Sequence, residues 1–184
     1  MRHMLRGSMC VLLLMLPLAA DLSATTARRL SNGQLAQDAE VIVIGQVGES
    51  RSAWEGRTLV TLVEITVAET LKGAPGRTLT VALPGGIDSN RRFPVAMTYA
   101  GAPTMTPGEQ VFLFLGHDED IASGHIVLGF SQGKFSIVRN TSGEAVVSRD
   151  LSAISLETGG SIARGTRTYT SLSTFRQEIL GYLQ

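Results

Sequence analysis

The stretch TLVTLVEITV, residues 58–67, alternates without a break. Successive side chains of an extended chain point to opposite sides. Leu59, Thr61, Val63, Ile65 and Val67 therefore share one face, and Thr58, Val60, Leu62, Glu64 and Thr66 the other. A period of two, rich in β-branched residues, predicts a strand. Upstream, VIVIGQV at 41–47 is too short and too branched to favour a helix. Downstream, Lys72-Gly73-Ala74-Pro75-Gly76 is a turn, and residues 78–83 form a further strand ended by Pro84-Gly85-Gly86. VFLFL at 111–115 is apolar on both faces, which predicts a central strand covered on both sides.

Further strands are predicted at 95–99, 125–130, 134–138 and 145–148, with turns at Gln132-Gly133 and from Asn140 to Gly143. Residues 25–40 predict a short amphipathic helix, capped by Thr25 or Thr26, with Leu30, Leu35 and Ala39 inward. Asn32-Gly33 offers the alternative of a turn and a shorter helix. From Ser171, Leu172, Phe175, Ile179 and Leu183 form the stripe of a C-terminal helix, with Thr174 and Gln177 spaced as a capping box. About eight short strands with tight turns and no βαβ rhythm predict a mainly β fold, an antiparallel barrel or sandwich.

The first residues have a different character. Arg2 and Arg6 precede the apolar run VLLLMLPLAA at 11–20, and small residues follow. This is the pattern of a secretory signal peptide, cleaved after Ala20 or Ala24, and it predicts an exported protein. The apolar run is shorter than the roughly 20 residues a membrane helix needs. The remainder, 21–184, is read as one β-rich domain with no membrane span. The one cysteine, Cys10, falls inside the leader. The mature chain thus has no disulfide, thiolate nucleophile or cysteine-held metal. Loss of Arg2 and Arg6 leaves 14 basic against 16 acidic residues, a balance that excludes charge-driven nucleic-acid binding. No cofactor is expected.

Three segments contain candidate chemistry. Gly129-Phe130-Ser131-Gln132-Gly133 fits the G-x-S-x-G nucleophile elbow. That elbow requires strand, turn and helix, whereas 134–138 reads as a strand and both mature histidines precede the serine. A hairpin turn with Ser131 to Gly133 at its tip is the better reading. His117, Asp118, Asp120 and His125 bracket a loop and offer two imidazoles and carboxylates to a metal. Glu64 and Glu69 do not form an acid/base pair, and Glu109 reads as structural. The long irregular segment 84–106 is the candidate binding surface. There Arg91, Arg92 and Phe93 set two cations beside an aromatic ring, suited to an acidic partner. Met97, Tyr99 and Met105 add adaptable apolar surface.

DAEVIVIGQV at 38–47, VAETLKG at 67–73, Pro84-Gly85-Gly86, PGEQVFLFL at 107–115 and QGKF at 132–135 together resemble a group of uncharacterised bacterial exported proteins. The first two blocks also resemble the opening of netrin-type modules and tissue inhibitors of metalloproteinases. That resemblance implies an oligonucleotide/oligosaccharide-binding-type (OB-like) barrel. Those inhibitors chelate the protease metal through an N-terminal cysteine, which this chain does not have. Three functions are expected, the first favoured and the other two as alternatives. The first is a non-catalytic exported module that binds a protein or glycan through 84–106. The second is a metalloprotease-associated accessory or inhibitor. The third is a metal-dependent enzyme using the His117–His125 loop.

Overall fold

The computed structural model describes residues 26–184, so the predicted leader lies outside the described residues. The architecture is mainly β and largely antiparallel, with a C-terminal helix, as the patterning predicts. Two long strands dominate it, β2 (Val41–Glu55) and β3 (Thr58–Lys72), paired as one hairpin. Register shifts at Ile42/Val43, Ile44/Gly45 and Val47/Ser50 break the ladder. Such irregularities increase twist and let a long hairpin curl. Gly45 permits the closest approach, because a Cβ there would lie 2.6 Å from Ile65 Cγ2 and 2.7 Å from the Thr66 carbonyl oxygen.

On one side of the hairpin, β3 pairs with β4 (Thr78–Pro84). On the other, β2 pairs with β7 (Gln110–Gly116). The three-residue β8 (His125–Val127) joins the ends, lying parallel to β4 and antiparallel to β7. The pairings β7-β2-β3-β4-β8 thus return to β7. Beyond β7 the sheet continues through β9 (Lys134–Arg139), β10 (Ala145–Asp150) and β13 (Arg167–Ser171). A small sheet joins β1 (Thr26–Arg28), β11 (Ser155–Thr158) and β12 (Ser161–Arg164), and a hairpin is formed by β5 (Gly86–Asp88) and β6 (Val95–Met97).

Alternation along β7 divides the core. Val111, Leu113 and Leu115 face one cluster with Val41, Val43, Val63, Ile65 and Val81. Phe112 and Phe114 face another with Phe135 and Val147, under the helices α1 (Asn32–Asp38) and α2 (Leu172–Tyr182). The stretch 111–115 is therefore covered on both sides, as its apolar run predicts. Phe112, Phe114, Phe135 and Phe175 pack with ring centroids 4.6–6.5 Å apart. Glu69 pins α2 from β3, accepting from Arg176 Nε at 2.7 Å.

Several expectations need correction. Among the described residues there are thirteen strands rather than about eight, and two of them run 15 residues. The N-terminal helix begins only at Asn32, since Ser31 and Gln34 form a capping box. Residues 26–28 instead pair parallel with β11. The Thr174/Gln177 box is not formed, and the N-cap of α2, Ser171, makes no side-chain cap bond. Among the described residues, no helix is long and apolar enough to cross a membrane.

Candidate binding surface

Segment 84–106 is not a loose excursion. Its first half is the β5–β6 hairpin, pinned to the β2–β3 arm. Thr61 Oγ1 donates to the Gly85 carbonyl at 2.8 Å, and the Ile87 N–H donates to Ser52 Oγ at 3.0 Å. At its turn, Trp54 Nε1 donates to Asp88 Oδ2 at 2.7 Å. Arg91 Nε donates to the same oxygen at 2.9 Å, and its guanidinium lies over the Trp54 ring, 4.7 Å from the centroid. The indole N–H, the Asn90 N–H and Arg91 together hold the Asp88 carboxyl below the usual carboxylate range. Arg92 stands over Phe93, 5.5 Å from its centroid.

The hairpin thereby projects two large apolar side chains into solvent. Phe93 is 75% exposed and Ile87 66%. Phe93 adjoins Arg91 and Arg92, both exposed. Of the five residues singled out in this segment, Arg91, Arg92 and Phe93 share the hairpin turn. Tyr99 lies beyond β6, and Met105 packs against the β7-side core. Trp54 and Asp88 complete the turn cluster, and sequence reasoning passed over both.

Tyr99 belongs to a neighbouring cleft of about 430 Å³, where it meets Asp118, Asp120, Ile126 and Phe130. Asp118 Oδ1 accepts the Asp120 N–H at 2.9 Å, a local turn bond. His125 lies on β8, with its Nδ1 buried and unpartnered among the described residues. His117, Asp118, Asp120 and His125 are not gathered into a ligand set: among the described residues no three His, Cys, Asp or Glu side chains are disposed to hold a metal ion.

The G-x-S-x-G segment is a turn leading into strand β9. The flanking strands β8 and β9 do not pair with each other, so it is a turn but not a hairpin, and it is buried: Ser131 is 8% exposed and Gln132 1%. Gln132 Oε1 accepts the Leu30 N–H and its Nε2 donates to the Arg28 carbonyl, both at 2.8 Å. The side chain thus stitches the N-terminal strand to the turn. Phe130 adopts φ +68°, unusual for a bulky residue.

Glu109 is held as a structural group. Its Oε1 accepts from Lys134 Nζ at 2.5 Å and Ser136 Oγ at 2.6 Å, and its Oε2 from the Thr106 N–H at 3.1 Å. Burial alone would raise its pKa, but these donors outweigh it and lower the carboxyl below its ordinary value. Comparison with protein-family models, with curated proteins and with solved structures found no match to this chain.

Proposed function

We propose that this chain is an exported, non-catalytic binding module that engages an acidic protein or glycan through the β5–β6 hairpin of segment 84–106. The single observation supporting this reading is the hairpin turn itself. It exposes two large apolar side chains, Ile87 and Phe93, with Arg91 and Arg92 adjoining Phe93, on a backbone braced through Ser52, Trp54 and Thr61. Exposed apolar groups with aromatic and arginine anchors are the composition of interaction surfaces. Bracing lowers the entropic cost of capture.

The serine of the G-x-S-x-G segment, Ser131, is buried in its turn. The apolar leader pattern supports export, which predicts a mature N-terminus at Asp21 or Thr25.

The test is capture from the exported fraction of the host. Wild type is compared with an Ile87→Ser/Arg92→Ser/Phe93→Ser variant that leaves Trp54, Asp88 and Arg91 intact. The expected outcome is one abundant partner, lost in the variant at unchanged thermal stability. Equal capture by both proteins, or none by wild type, would sink the reading.

A further inference from the structure

The face of β9, β10 and β13 opposite the phenylalanine cluster opens onto a separate groove of about 540 Å³. No residue of the β5–β6 hairpin lines it. Its walls are the Gly101–Thr104 end of the loop and the 151–154 turn. The volume falls in the range of small-molecule clefts, about 300–1,000 Å³. One wall is set by close packing: Gly101 has φ +76°, and a Cβ there would overlap Ile154, a fully buried residue.

The chemistry of the lining narrows what can bind. Its charges are already paired. Lys134 holds Glu109, and Arg167 holds Asp150 through Nε at 2.9 Å and through Nη2. A cation meets no free carboxylate there, and an anion meets cations whose charge is already balanced. The Asp150 carboxylate also accepts the Ser152 N–H at 3.0 Å and the Ser152 hydroxyl at 2.7 Å. Four donors fill its lone pairs, so it acts as a holder for Arg167. Arg167 has five N–H groups; it spends two on Asp150 and also faces the Tyr169 hydroxyl, which leaves donors for a ligand. Beside it Tyr169 is 60% exposed, directly across from Ser148 in the strand register, and Val138 is 42% exposed. The groove therefore combines an open aromatic ring, hydroxyls, a positioned multiple donor and no net charge.

That combination fits a molecule with apolar C–H faces and many hydroxyls. We propose that the β9-β10-β13 groove binds a neutral oligosaccharide, with one sugar ring lying on Tyr169 and its hydroxyls bonded to Arg167 and Ser148. The site is independent of the hairpin and survives if the hairpin reading fails.

The experiment is a titration of the 15N-labelled protein with cellotetraose, chitotetraose, maltotetraose and mannotetraose, with an oligogalacturonate as the anionic comparison. At least one neutral tetramer is expected to give saturable shifts confined to β9, β10, β13 and residues 101–104. Tyr169→Ala should weaken that binding by about tenfold or more, equivalent to about 1.4 kcal/mol or more. Tyr169→Trp should restore it. The exposed position makes folding insensitive to both changes, which thermal melts check. The Ile87/Arg92/Phe93 variant should bind the sugar unchanged. No saturation by any neutral tetramer, tighter binding of the oligogalacturonate, shifts mapping to the hairpin, or an unaffected Tyr169→Ala would each overturn the proposal.

Discussion

Asp88 receives hydrogen bonds from two side chains, and one of them is the chain's only tryptophan. Trp54 fluorescence therefore reports on the hairpin turn alone. Because the folded carboxyl titrates below its ordinary value of 3.8, this contact contributes above that value and is lost as pH falls through the lower one. An acid titration of Trp54 emission should show its midpoint below pH 3.8, and Asp88→Asn should remove the step. A midpoint at or above that pH would show that the turn cluster does not hold the charge. Gln132 offers a second test at this scale. Gln132→Ala removes the partners of the half-buried Leu30 N–H and of the Arg28 carbonyl, which water can reach, so one orphaned group's cost of about 1–3 kcal/mol applies. A loss of about 1–3 kcal/mol in urea unfolding is expected, against little change for the exposed Gln37→Ala. The arginines and Phe93 were legible because they adjoin in sequence. Trp54 and Asp88 were not, because they meet across 34 residues. Gln132 read only as a turn residue because nothing local reveals partners about 100 positions away.

Among the elements, those with one apolar face or two were legible, and those with none were not. β7 declares itself by VFLFL, and α2 by its stripe, of which Phe175 and Ile179 are buried. By contrast, β12 and β13 are exposed along nearly their whole length, and the outer half of β2 reads GESRSAWE. These strands are held by backbone pairing, which leaves no hydrophobic period to find. The helix stripe has a measurable consequence. Phe175 is 2% exposed and closes the ring cluster with Phe112, Phe114 and Phe135. Phe175→Ala should cost about 3–5 kcal/mol by denaturant unfolding, since the emptied space is walled by strands that do not collapse. A cost below about 1 kcal/mol would mean that α2 is only loosely docked.

For the whole molecule, β2 and β7 lie between two apolar clusters, and each strand contributes alternate side chains to both. The functional candidates lie outside these clusters, on a braced hairpin at one place and a charge-paired groove at another. Substitutions at either surface should thus separate binding from stability. The circuit of strands has an uneven weld. β2 and β3 run together for 15 residues each, yet β8 meets its neighbours only at Val81–His125 and Ala82–Ile126 on one side and Leu115–Val127 and Gly116–Ile126 on the other. With so few rungs, β8 is the expected first place for the circuit to open, and amide exchange should be faster at 125–127 than along β2 and β3. Glu55 at the end of the long hairpin accepts from the Ala122 N–H at 3.3 Å and from the Ser123 hydroxyl, so the cleft holding Tyr99, Asp118 and Asp120 is latched by one carboxylate beside that join.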